Sequence, residues 1–501
     1  IIVVMQFDNR YSRLPQEFFS KVEPTPLKNP FLLSWNRDLA EEMGLSDMTE
    51  NEAVDYFGRM KPLRGGEPIA AVYAGHQFGH YVSQLGDGRS ILLGELVTDS
   101  GTHWDMHLKG GGQTPYSRGA DGRAVLRSTI REYLCSEAMH NLGIPTTRAL
   151  AIVGSEEEVY RESLEYGATL LRAAPSHVRF GSFEYFYYRQ DFISLQKLLA
   201  FMVKYHFLDF SKFSQKEQAL AFFESVVMST AELIAQWQLV GFAHGVMNSD
   251  NMSVLGLTID YGPYGFLDRY DPAFICNHSD HSGRYAFEQQ PEIALWNCRC
   301  LGQALLPLVV VDIEQMSDAA GEHAASEIRE VLAKFQPHYE QMFEQGVAKK
   351  LGLKKVDLEQ DGGSIATRWF NLLQNAGMDY SRSFRLLAKV QESVENEYLL
   401  REMVLEQGQL SSWLAEYRVA LAQESTTSEQ RSMSMNCVNP KYVLRNYMAE
   451  NAIKQAVEGD YSEVENLAKL LRYPYAESPE YERYFSNPPE WAAAISVSCS
   501  S

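Results

Sequence analysis

The segment His244-Gly-Val-Met-Asn-Ser-Asp-Asn251, followed nine residues later by Asp260-Tyr-Gly262, concentrates groups able to do phosphate chemistry. Phosphotransfer enzymes of the kinase type use an eight-residue loop that begins with His, has Asp third and ends in Asn. A later Asp, often before an aromatic residue and Gly, completes the metal site. His244, Asn251 and Asp260 fill those places, but the third place is Val246. An isopropyl group accepts no proton. Asp250 is the nearby carboxylate able to replace the missing base. Asn251 and Asp260 offer hard oxygens of the kind Mg²⁺ takes beside phosphates and waters.

A second set lies upstream. Lys109 closes the strand-like run Trp104-Asp-Met-His-Leu-Lys109 and precedes Gly110-Gly-Gly112. A Lys at a strand end beside permissive backbone is where kinases hold the α- and β-phosphates. Glu132, 23 positions on (132 − 109), falls on a helical segment and can pair with it. Gly86-Asp-Gly88 is a turn signal followed by Arg89, and glycine turns let backbone N–H groups approach phosphate. Arg172 and Arg179 add guanidinium forks that suit phosphate oxygens. Other signals carry less. His278-Ser-Asp-His281 reads as a loop, and His103 and His107 as packing or surface residues on a strand. Walker A, dinucleotide-binding and Gly-x-Ser-x-Gly patterns are absent.

The positioning elements follow from pattern. Ser90–Val97, Trp104–Leu108, Arg148–Val153 and Ala168–Arg172 read as strands. Residues 123–142 form a helix stopped by Gly143-Ile-Pro145. Residues 217–240 form a second long helix running into the His244 loop. Beyond about 310 the pattern is mainly helical, over Val311–Phe335, Ser364–Leu373, Ser381–Asn396, Leu399–Ala422 and Tyr442–Val457. Gln423–Arg431 reads as a surface loop.

At 501 residues the chain suits two or three packed units. A net charge of −20 argues against a nucleic-acid partner over the whole surface. Six scattered cysteines do not make a secreted disulfide framework. With no run of 18 apolar residues, no membrane span is expected. The Ile1-Ile-Val-Val start is too short for a signal peptide, and Met5 is a candidate start. These readings point to a cytoplasmic protein.

Longer motifs name a family. Gly75-His-Gln-Phe-Gly79, Leu85-Gly-Asp-Gly-Arg89, His107-Leu-Lys-Gly110 and Gln113-Thr-Pro-Tyr-Ser-Arg118 resemble the selenoprotein O family. So do Ala174-Pro-Ser-His-Val-Arg-Phe-Gly181, Phe242-Ala-His-Gly-Val-Met-Asn248, Asp260-Tyr-Gly-Pro-Tyr-Gly-Phe-Leu-Asp268 and Asn439-Pro-Lys-Tyr-Val-Leu-Arg-Asn446. The resemblance spans nearly the whole chain; Ser249, where Thr is expected, is a conservative departure. It implies a kinase-like fold that moves AMP from ATP to Ser, Thr or Tyr hydroxyls of proteins, with the nucleotide inverted relative to a kinase. UMP transfer from UTP with Mn²⁺, described for some bacterial members, is a further implication. Carried over by motif, Lys109 and Glu132 form the ion pair, Asp250 accepts the proton, and Asn251 and Asp260 hold Mg²⁺ or Mn²⁺. Gly86, Gly88, Arg89, Asp121, Gly122, Arg172 and Arg179 line the ATP site together with Lys109 and Asp260. A terminal redox residue is common in the family, and the resemblance implies a Cys276–Cys499 disulfide.

The expected architecture is therefore α+β: a protein-kinase-like bilobal fold with an N-terminal arm and a helical C-terminal extension. Its divisions are an arm at 1–70, an N-lobe at 71–190, a C-lobe at 191–310 and a helical region at 311–501. Two rival activities stand beside nucleotidyl transfer. One is γ-phosphoryl transfer, which Val246 disfavours. The other is a non-catalytic nucleotide-binding module, which the joint presence of Lys109, Glu132, Asn251 and Asp260 disfavours.

Overall fold

A computed structural model describes residues 5–310, 318–358 and 363–498. Its N-terminal half is built on an antiparallel sheet. The strand order is Phe19–Lys21, Ile69–Ala71, Ser90–Val97, His103–Lys109, Leu164–Ala174, Arg148–Tyr160, Phe31–Trp35. Gln6–Phe7 adds to Ser90–Val97, and Ala124–Val125 to Leu164–Ala174. The expected arm thus supplies strands to the sheet, and Ile69–Ala71 crosses the division drawn at 70.

Strand alternation sorts the central side chains. Met106 and Leu108 enter a core with Ile91, Leu93, Leu171 and helices Arg37–Glu42 and Glu50–Phe57. Asp105, His107 and Lys109 therefore face the other way. On that side helix Leu126–Asn141 packs against the two longest strands.

The rest is helical. Helix Gln215–Val240 starts with a Ser214/Glu217 capping box and ends at Gly241, in the left-handed region at φ 77°. It has the length and composition of a membrane span. However, its apolar side chains, among them Phe222, Val226 and Trp237, are buried, and it packs on helices Gln290–Val309 and Phe335–Lys350. Just after it, Phe242–Ala243 pairs with Gly265–Phe266. That short ladder ties both ends of the 244–264 segment together and brings Asp250, Asn251 and Asp260 into one region.

The expected strands and the two long helices are present; Ser90–Val97 has the expected bounds and the other three strands are longer. Helices Phe180–Tyr188, Phe192–His206, Gln290–Val309, Phe335–Lys350 and Ser462–Arg472 add to those expected. Residues 311–317 of the expected 311–335 helix lie outside the described residues, and the helix there runs Asp318–Leu332. The segment expected as one helix over 399–422 is two, Glu397–Arg401 and Gln407–Ala422. The Gln407 amide donates to the carbonyls of Arg401 and Val404 and closes the first. The helix expected to reach Asn396 stops at Val390, where Asn396 Nδ2 donates back to the Lys389 carbonyl. The loop expected at 423–431 gives way to helix Ser428–Asn436, which a Thr427/Gln430 capping box begins.

Candidate active site

A cleft of about 660 Å³ lies between the sheet and the 244–264 segment. Six cations line it (Arg89, Lys109, Arg118, Arg161, Arg172 and Arg179), against the carboxylates Asp87, Asp250 and Asp260. In a chain with net charge −20 this is a local inversion of sign, which focuses an anion into the cleft.

Lys109 sits at the end of its strand, opposite Ser90 and Leu170 in the neighbouring strands. Its Nζ donates to Glu132 Oε2 at 2.8 Å, with both side chains buried. Arg172, opposite His107 on the next strand, forks onto the same carboxylate through Nε and NH2. Burial alone would raise the Glu132 pKa, but Arg172 and Lys109 outweigh it and hold the carboxyl below its usual range.

Asp260 is the meeting point of two arginines. Arg172 NH1 lies 2.9 Å from Oδ1 and Arg179 NH1 2.5 Å from Oδ2. Burial pushes its pKa up, yet these guanidinium groups, with Lys109 beyond, hold it far below the carboxylate range. Its backbone is left-handed at φ 54°, uncommon for a residue other than glycine and frequent at functional sites. Arg179 NH1 also donates to the Asp250 main-chain carbonyl at 2.8 Å, joining the two acidic residues through one nitrogen.

Asp250 is 6% exposed. Burial pushes its pKa up to about 7, against the lowering charge of Arg179. Its Oδ1 is buried without a hydrogen-bond partner. Asn251 donates Nδ2 to the Val246 carbonyl at 3.0 Å, which leaves the amide oxygen for another partner. His244 is buried, with Nε2 against the Ile259 carbonyl at 2.8 Å, and so braces the loop. Among the described residues no three His, Cys, Asp or Glu side chains are grouped to hold a metal.

The glycine turn is braced from behind. Thr114 Oγ1 donates to the Asp87 carbonyl at 2.6 Å and Ser117 Oγ to the Gly88 carbonyl at 2.5 Å. Gly86 stands at φ 115°, and a Cβ there would lie 2.7 Å from the Tyr116 ring. Asp87 is buried, accepts from Ala71 N at 2.9 Å and lies 3.3 Å from His107 Nε2. His107 is thus neither surface nor plain packing. Alternation placed it on the same face as Lys109, the signal that could have found it.

Arg89, Arg172, Arg179, Gly86 and Gly88 all reach the cleft. Asp121 joins it through a partner, bonding Arg161 at 2.8 Å and capping Arg123 N at 2.8 Å, with Gly122 beside it. Gln77, Tyr73 and Arg161 line the cleft without having been singled out from sequence. His278 and His281 lie in a loop as expected. Cys276 is buried beside the Ala243 carbonyl, whereas Cys499 lies outside the described residues.

Residues 2–472 match the family described as "Protein adenylyltransferase SelO". The chain belongs to the SelO family. It is 49% identical to the protein nucleotidyltransferase YdiU of Thioalkalivibrio sulfidiphilus and 48% identical to that of Myxococcus xanthus, each over 99% of both chains. Identity to the protein of the same name from Vibrio parahaemolyticus is 46%, again over 99% of both. By SelO-family membership the chain is a nucleotidyltransferase enzyme, and the cation-lined cleft is where its chemistry is to be sought.

Proposed function

We propose that this enzyme transfers AMP from ATP to Ser, Thr or Tyr hydroxyls of proteins and releases pyrophosphate, with UTP as an alternative donor. The observation that carries this reading is the placement of Asp250. The carboxylate stands at the cleft, buried, with one oxygen unpartnered, while Val246 occupies the usual base position. Six cations then supply the anion-binding wall.

Lys109, fixed and kept charged by Glu132, binds phosphate oxygens and stabilises charge growing on the leaving pyrophosphate. Arg172 and Arg179 at the deep side suit the terminal phosphate of an inverted nucleotide. Gly86 and Gly88 bring backbone close to the phosphates, Arg89 and Arg161 stand at the wall, and Asp121 with Gly122 supports Arg161. Asp250 takes the proton of the incoming hydroxyl, a contribution of about 10²–10⁴-fold.

Asn251 and Asp260 fit Mg²⁺ or Mn²⁺: an amide oxygen left free by the Val246 contact, and a carboxylate held ionised. Two protein oxygens with phosphates and waters are what such ions take. When bound, the ion would neutralise phosphate charge. Asp260 must then release part of its hold on Arg172 and Arg179, which turn to phosphate.

This reading includes the kinase-like bilobal arrangement, a cytoplasmic setting and protein rather than nucleic-acid acceptors. The test is intact mass of acceptor proteins after incubation with ATP or UTP and either ion, beside Asp250→Ala. A nucleotide-monophosphate increment lost in the variant supports the proposal. A phosphate increment supports a kinase, and no increment with nucleotide still bound supports a binding module.

A further inference from the structure

The hairpin of strands Gly75–Gln77 and His80–Val82 lies against the loop that carries Asp250. Its turn is tight, with Phe78 at φ 49° and Gly79 at φ 83°. Three consecutive residues of the hairpin hold three consecutive residues of the loop. Phe78 N donates to Asn248 Oδ1 at 3.0 Å, His76 N to Ser249 Oγ at 2.7 Å, and Gln77 Nε2 to Asp250 Oδ2 at 3.4 Å. The hairpin is itself anchored. His76 Nδ1 meets Glu184 at 2.5 Å, and Tyr285 OH bridges Phe78 N and Asn248.

Packing is close on the Gly75 side of Asp250, while the cleft lies on another. A Cβ on Gly75 would lie 2.7 Å from Asp250 Oδ1. With Oδ2 facing the Gln77 amide, Oδ1 is the oxygen without a partner. A carboxylate that accepts a proton from a hydroxyl must be held in one orientation toward the acceptor. Without the hold, the side chain can rotate about its terminal torsion, which is broad and nearly two-fold. Hydrogen bonds in a site awaiting substrate are often long and tighten in the reacting complex.

We infer that Gln77 is a positioning residue for the transfer step: from the cleft wall its amide holds Asp250 Oδ2 and so fixes the orientation in which the carboxylate meets the acceptor hydroxyl. The inference rests on the reading of Asp250 as proton acceptor. Gln77 holds the base, not the phosphates, so its loss acts on turnover and leaves nucleotide affinity in place.

The test uses the full-length enzyme with ATP and a protein acceptor, comparing wild type, Gln77→Leu, Gln77→Asn, Asp250→Ala and Asp250→Ala/Gln77→Leu. Gln77→Leu is expected to lower kcat by roughly tenfold to a hundredfold, the scale of a misplaced reacting group. KM for ATP and calorimetric ATP binding stay within about twofold, which also reports an intact fold. Gln77→Asn, with a shorter arm and the same donor, recovers part of kcat. The double variant is no slower than Asp250→Ala, because the amide acts only through that carboxylate. Wild-type kcat in Gln77→Leu, a loss carried in KM, or a double variant slowed by the full Gln77→Leu factor would overturn the inference. Full activity in Asp250→Ala instead removes the proton-acceptor reading beneath it.

Discussion

Lys109 Nζ and Glu132 Oε2 lie 2.8 Å apart in a buried setting, 23 residues apart in sequence, and Arg172 shares the same carboxylate. One carboxylate therefore orients two cations. Glu132→Gln is expected to cost about 3–5 kcal/mol of stability, since it leaves Lys109 buried without its bonded counter-charge and Arg172 with Asp260 alone. ATP binding should weaken together with stability. Chemical denaturation and calorimetry on the same sample check both; a variant of wild-type stability would show that the pair is not structural.

Asp260 restrains Arg172 and Arg179, and in the proposed reading it also offers oxygens to an ion. Asp260→Asn removes a negative charge beside the phosphate wall and loosens both guanidinium groups, which keep their bonds to Glu132 and to the Asp250 carbonyl. Transfer activity is expected to vanish, while ATP binding measured with a chelator present tightens on the order of tenfold, the scale of one charge-assisted hydrogen bond. Weaker binding in chelator would contradict the restraint.

Gly86 is placed where a side chain meets the Tyr116 ring and the backbone has positive φ. Gly86→Ala should raise KM for ATP at least tenfold while far-ultraviolet circular dichroism stays unchanged, because the strain falls on a turn that lines the cleft and not on a helix or strand. Steady-state kinetics reads the effect.

Lys350, 4% exposed, stacks over Phe384 at 4.3 Å, and burial alone pushes its pKa down from 10.5 to about 7. Unfolding lets it regain a proton, so its stability penalty is absent above about 10.5, grows as pH falls, and is complete below about 7. Lys350→Met is expected to stabilise the fold at pH 7 by on the order of 3 kcal/mol and to match wild type near pH 10.5. Urea midpoints at the two pH values decide it; an equal gain at both would contradict the buried neutral lysine.

Legibility followed the range of the interactions. The strand ending at Lys109, the helix of Glu132 and the helix leading to His244 announce themselves by local periodicity, and the Asn251/Asp260 spacing is itself local. The Gln77 contact spans 173 residues and the Arg179–Asp260 contact 81, and no local pattern encodes such pairings. Helix Phe180–Tyr188 hid behind an aromatic run with no polar face, because most of its surface is buried. The role of His107 is hidden for a different reason. Strand alternation put it beside Lys109, but its partner Asp87 lies on a turn whose path only the tertiary structure fixes.

The account turns on which phosphorus of ATP reaches the acceptor. The direct measurement supplies purified enzyme and acceptor protein with ATP labelled at the α- or the γ-phosphate, Mg²⁺ or Mn²⁺, and Asp260→Ala in parallel. The account predicts protein-bound label from the α position only, lost in the variant. Label from the γ position only would contradict it and make the protein a kinase.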